Sequence, residues 1–244
     1  KQLYRPDAEH VIICKDEAKH FAFPGVTQAA NGDLLVIFRE GMTHQDYTGK
    51  ERNDAVLTRS SDGGKTWQKQ VTIYLGENSM PMGREIHCLR DGTLVTTIYE
   101  YLDVAKGLGR EITMRSFDHG YSWDDPVPLP TSSPNGLEEG PDGALYHIGA
   151  TLQRTVPSVQ IIEISRSSDA GYTWWPYSTV IMCREDFKVP MDFDYFTEPA
   201  LCILPGGRWL AAIRNERDGY LAICRSDSQG QSRTWRYPGR SKPL

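Results

Sequence analysis

The sequence predicts an all-β protein, a β-propeller of four-stranded antiparallel blades, on three observations. A run of the form Ser-x-Asp-x-Gly-x-Thr-Trp recurs along the chain, a turn dipeptide entering an apolar run precedes each copy, and no segment carries a sustained helical period. The copies are SSDGGKTW (Ser60–Trp67), SFDHGYSW (Ser116–Trp123) and SSDAGYTW (Ser167–Trp174), with a broken version, SDSQGQSRTW, ending at Trp235.

Each unit opens on a short apolar run: FPGVTQ, REIHCL, GLEEG and EPALCIL in turn. A tight turn then enters a second strand, in NGDLLVIFRE (Asn31–Glu40), DGTLVTTIYE (Asp91–Glu100), DGALYHIGA (Asp142–Ala150) and GGRWLAAIRN (Gly206–Asn215). A third strand, DAVLTRS, EITMRS, IIEISRS or YLAICRS, runs into the Ser-x-Asp motif, and a fourth, such as QKQVTIY or WPYSTVIM, follows the Trp. Units of this length cannot bury both faces alone, and radial packing covers them. The expected blades are 20–75, 80–130, 136–183 and 195–237 within one domain, 1–244.

The repeated motif reads as a structural clip. Asp can accept hydrogen bonds from amides further along the turn, Gly supplies positive φ, and Trp carries a large ring into the seam between blades. Asp62, Asp118 and Asp169 are therefore assigned to turn geometry, and Trp67, Trp123 and Trp174 to packing.

Composition narrows the function. The net charge is −5 with no basic stripe, which excludes nucleic acid as the expected partner. No apolar run approaches the ~20 residues of a membrane span. The chain starts at Lys1 rather than Met, so removal of an upstream signal is an expectation, and with it a secreted or periplasmic location. Cys14, Cys88, Cys183, Cys202 and Cys224 show no metal or redox spacing; in apolar runs they are expected as buried free thiols. His44, His87 and His147 lack metal-ligand spacing, and no metal or cofactor is expected.

In a propeller the channel mouth is built by the starts of the innermost strands and the ends of the second strands. That selects Phe21–Pro24, Arg84, Glu85, Glu138, Glu139 and Glu198 from the former, and Arg39, Glu40, His44, Glu100, Tyr101, Arg214, Asn215 and Glu216 from the latter. The polar stretch Arg39–Asp54 is a long loop between two strands, where Asp46, Glu51 or Asp54 could serve as a general acid.

With these clips at the same place in successive blades, the sequence resembles the sialidase (neuraminidase) superfamily, whose repeat is the Asp-box or BNR repeat. The resemblance covers roughly residues 20–237 and implies a six-bladed propeller, so the four legible blades are expected to be part of a longer one. Open blade edges would then favour self-association. By resemblance, Glu198 in FTEPALCIL matches the family's Glu that polarises its Tyr nucleophile. Arg214 in AAIRN matches the second of three arginines, and Asp46 matches the acid/base. The family's Phe-Arg-Ile-Pro is Phe21-Ala22-Phe23-Pro24 here, so Ala22 occupies the first arginine's place, and the third arginine and the Tyr fall beyond these blades. This favours a glycan other than sialic acid, cut by a carboxylate pair: Glu198 with Glu138, Glu139 or Asp46. Arg39, His44, Arg84 and Arg214 would bind its hydroxyls or a uronate, Glu85 would also bind substrate, and no cofactor is expected. A non-catalytic propeller binding glycans or proteins is the alternative.

Overall fold

The apolar runs and turn dipeptides fold into strands as their period-two patterns and glycines dictate. In a computed structural model, residues 10–44, 51–76, 78–103, 108–153, 159–184, 196–215, 221–231 and 235–236 are described. The first sheet is β1 (His20–Gln28), β2 (Leu34–Gly41), β3 (Asn53–Ser60) and β4 (Val71–Gly76), paired antiparallel in chain order. The second is β5 (Met80–Cys88), β6 (Leu94–Asp103), β7 (Leu108–Ser116) and β8 (Val127–Leu129). The third is β9 (Leu137–Glu139), β10 (Leu145–Gln153), β11 (Val159–Ser167) and β12 (Trp175–Arg184). Among the described residues the fourth holds β13 (Phe196–Leu204), β14 (Arg208–Asn215) and β15 (Leu221–Ser226), with a bridge between Arg225 and Arg236 at the place of an outer strand. Among the described residues no helix is long and apolar enough to cross a membrane.

Hydrophobic seams join the sheets as propeller blades. Leu35, Ile37 and Leu57 of the first blade pack with Ile86, Leu94 and Trp123 of the second. Leu89 and Val95 pack with Leu137, Leu145 and Trp174 of the third. Tyr146, Ile148, Ile162 and Ile164 meet Phe196, Leu201, Trp209 and Ile213 of the fourth, with Trp235 against them. Each such fully buried side chain contributes about 1.5–3 kcal/mol. The clip tryptophans of blades two to four therefore close the seam with the preceding blade, and Trp67 packs against Val36, Phe38 and Val56.

The clips are wired as their residues predict. Asp62 accepts from the Thr66 amide at 2.9 Å and its hydroxyl at 2.6 Å, and the Trp67 indole donates to the Gly64 carbonyl at 3.0 Å. Asp118 and Asp169 accept in the same way from Ser122 and Thr173, and the Trp174 indole donates to the Gly171 carbonyl, whereas the Trp123 indole nitrogen is buried with no partner among the described residues. In the fourth clip Ser228 stands in the Asp position, yet Ser226 still accepts from the Gly230 amide and Trp235 still donates to the Gly230 carbonyl.

The registers align the blades residue by residue. Gln28, Cys88 and Glu139 lie level with the clip serines Ser60, Ser116 and Ser167. At the opposite end Ala22 pairs with Arg39, Met82 with Tyr99, and Thr197 with Arg214. Between these levels each inner strand bulges, at Phe23-Pro24, at Arg84 and at Glu198-Pro199. The inner strands β1 and β5 approach so closely that a Cβ on Gly25 would lie 2.5 Å from the Arg84 carbonyl oxygen. Glycine is required there.

Candidate functional site at the mouth end of the blades

The bulges decide what the mouth presents. A β-bulge re-aims a side chain, and here equivalent bulges carry Phe23, Arg84 and Glu198. Phe23 has φ 59° and Glu198 has φ 49°, left-handed values that a non-glycine residue seldom adopts, and each precedes a proline. Beside Glu198 on the neighbouring strand, Arg214 donates from Nη1 to Glu198 Oε2 at 2.9 Å, with the two side chains 52% and 46% exposed. The two residues matched to a site in the sequence thus adjoin.

Between the first and second blades the mouth is aromatic. The Arg84 guanidinium carbon lies 5.5 Å from the Phe23 ring centre and 5.3 Å from that of Tyr99, and Tyr101 packs edge-on to Tyr99 at 4.7 Å. His44 is exposed and tilts against Phe23 at 5.6 Å, with His20 3.3 Å from its Nδ1. Behind Arg84 sits Glu111, fully buried, whose Oε2 accepts from the Ser132 hydroxyl at 2.9 Å while Oε1 has no hydrogen-bond partner. Burial pushes the Glu111 carboxyl up to about 8, against the lowering influence of Arg84 and Ser132 and with the Glu85 charge adding to the rise. Burial likewise lifts the Tyr99 phenol to about 12. Glu111 and Tyr99 were absent from the residues selected by sequence; Tyr99 was findable, since it holds the place in β6 that Arg39 and Arg214 hold in β2 and β14.

Several expected site residues lie elsewhere. Glu138 and Glu139 do not start their inner strand at the mouth, because β9 is short and pairs with Leu145–His147 beside the clip. In register Glu138 is level with Cys202, three ladder steps from Glu198 because the Glu198-Pro199 bulge takes up one step of β14, or roughly 10 Å along a strand. That exceeds the ~6.5–9.5 Å between paired carboxylates in inverting glycosidases. Glu139 instead accepts from the Arg90 backbone amide and Nε, both at 2.9 Å. Arg39 is fully buried; it donates to Asn53 and to the carbonyls of Thr43 and His44, and so anchors the start of the long loop. Glu85, 8% exposed, accepts from the Leu137 amide, the Thr97 hydroxyl and His87, fastening the second blade to the third. Asp46 and Glu216 lie outside the described residues. Among the thiols Cys224 is buried, Cys14 and Cys88 are half-buried and Cys202 is exposed, because strand alternation turns it outward; the Cys183 side chain is outside the description. Among the described residues, no group of three or more His, Cys, Asp or Glu side chains could hold a metal ion.

No protein-family model matches the chain, and no curated protein matches it by sequence. Solved structures do. A protein of unknown function from Dyadobacter fermentans DSM 18053 superposes with TM-score 0.73 and 24% identity, over 96% of this chain and 73% of that one. The Hadza microbial sialidase Hz136 matches with TM-score 0.63 and 18% identity, over 92% and 47%. The K499G mutant of NanB sialidase from Streptococcus pneumoniae matches with TM-score 0.66 and 13% identity, over 96% and 54%. The chain thus spans about half the length of these two sialidases. At these identities the likeness speaks for architecture alone, and on that ground the chain has a sialidase-like β-propeller fold.

Proposed function

We propose that this chain carries the central site of a glycan-active enzyme, a glycoside hydrolase in which Glu198 is the carboxylate at the reacting centre and Arg214 orients both it and the substrate. The observation that carries this is the exposed, strained Glu198–Arg214 pair. A half-exposed ion pair returns about 0–1 kcal/mol. A left-handed non-glycine residue costs on the order of 1–3 kcal/mol. Stability therefore does not account for Glu at this position, where the bulge aims it outward beside a cation. Hydrolysis of a glycosidic bond needs a second group, a protonated acid at the leaving oxygen. Asp46, in the loop whose first residues Arg39 anchors, is the proposed acid.

The test is turnover of a panel of plant and host oligosaccharides by the full chain and by Glu198→Gln. Release of reducing ends, lost in Glu198→Gln with binding retained, supports the hydrolase. Binding without release in either protein supports the second reading, a non-catalytic glycan-binding propeller. That reading is favoured by Ala22, which leaves the inner strand of the first blade without a cation at the level of Arg39.

A further inference from the structure

Five arginines among the described residues are not surface-exposed: Arg39, Arg59, Arg84, Arg115 and Arg166. Arg39 donates to Asn53 and two carbonyls, Arg59 to Asp33 and the His119 carbonyl, Arg115 to Asp124 and the Gly171 carbonyl, and Arg166 to Asp142 and the Tyr146 hydroxyl. Among the described residues Arg84 gives a hydrogen bond to no oxygen. Its one hydrogen bond runs from Nη2 to the Met82 thioether sulfur at 3.4 Å, and its Nε is buried with no partner. A guanidinium has five N–H donors, and burying even the Nε–H unmet is costly. The cation is nevertheless held in place by the Phe23 and Tyr99 rings, at the bulge that places it at the mouth between the first and second blades.

We infer that Arg84 is the specificity-determining cation of the mouth, and that it reads the carboxylate of a uronic-acid residue whose ring lies against the Phe23, Tyr99 and Tyr101 cluster. The inference rests on the glycan reading above and narrows its substrate class. A planar carboxylate matches the edge of a guanidinium, which can offer it two parallel hydrogen bonds. Aromatic rings beside that edge supply the apolar surface that sugar C–H faces need. Arg214 is less suited, because its charge is already met by Glu198. Burial raises the Glu111 carboxyl beside Arg84, which disfavours a compensating negative charge there. Glu85 is committed to Leu137, Thr97 and His87.

Calorimetric titration of the chain decides the matter with four probes: an oligogalacturonide, an oligoglucuronide, their carboxyl-reduced neutral counterparts, and a sulfated oligogalactan without uronate. A uronate probe is expected to bind roughly ten- to a hundredfold tighter than its reduced form, the range of a charge-assisted hydrogen bond. Arg84→Met should remove that preference and Arg84→Lys restore only part of it. Equal affinity for reduced and native probes overturns the inference and leaves the glycan reading standing. Preference for the sulfated probe, or a uronate preference that survives Arg84→Met, also overturns it. No binding of any probe overturns it too, and the glycan reading is then judged by the turnover panel alone.

Discussion

The two ends of the blades treat the same residue types differently. At the clip end Arg115 is fully buried, ion-paired with Asp124 at 2.6 Å, bonded to the Gly171 carbonyl of the next blade at 2.8 Å and stacked over Tyr172 at 3.8 Å. Arg59 does the same with Asp33, the His119 carbonyl and Tyr121. At the mouth Arg84 also stacks on rings but finds no oxygen among the described residues, and Glu198 sits in a strained conformation in an exposed ion pair. Groups that recur from blade to blade satisfy one another and hold the propeller together. Groups that differ at equivalent bulges are left open toward something else.

The largest break in that contrast should come from removing a cation at each end. Arg115→Met leaves Asp124 Oδ2 without its cation and removes one of three donors to the Gly171 carbonyl in the seam between the second and third blades. It should cost about 3 kcal/mol or more in urea unfolding, as breaking a buried pair does. Arg84→Met leaves behind only a weak acceptor, the Met82 sulfur, and should stay within about 1 kcal/mol of the parent. Equal losses at the two sites would erase the distinction between a fastened and an open arginine.

The pH dependence of stability separates the ends more gently. Hydrogen bonds from Ser122 hold Asp118 down to about 2, so its contribution is full above its unfolded value of about 3.9 and vanishes as pH falls toward 2. Burial holds His147 down to about 3, so its share too is full above about 6.5 and lost on acidification. Glu111 behaves oppositely: raised to about 8, it contributes fully below about 4.5 and its share is lost as pH rises through 8. Glu111→Gln should flatten the alkaline limb of midpoint against pH, and Asp118→Asn the acid limb. An alkaline limb unchanged in Glu111→Gln would mean that the carboxyl is not the source.

The smallest effect is expected at the strained site. Glu198→Gly relieves the left-handed backbone while losing an exposed ion pair, and its unfolding free energy should fall by no more than about 1 kcal/mol. Activity on any substrate found in the panel should nevertheless disappear. A loss of stability well beyond that would make Glu198 a structural residue.

Much of the architecture was legible because the clip repeats. Ser60, Ser116 and Ser167 fix where each third strand ends, and the turn glycines fix where each second strand begins. Glu198 and Arg214 were legible for the same reason, one at the start of an inner strand and one at the end of a second strand. Glu138 and Glu139 were misplaced because GLEEG contains no signal that its strand starts late. Only the pairing of Leu137–Glu139 with Leu145–His147 shows them near the clip. Arg39 reads like Arg214 in sequence, since both end a second strand, yet Asn53 and the loop carbonyls enclose one and solvent reaches the other.

By itself the sequence determined that four-stranded units recur, where each turn falls and which rings enter the seams, because these follow from local hydrogen bonding and a period-two alternation. The tertiary structure alone decided which polar groups find partners. Whether Arg84 meets an oxygen, whether Glu111 is cut off from water and whether Glu198 meets Arg214 depend on how neighbouring strands and blades approach. Contacts between residues far apart in the chain leave no mark on the local pattern around either one.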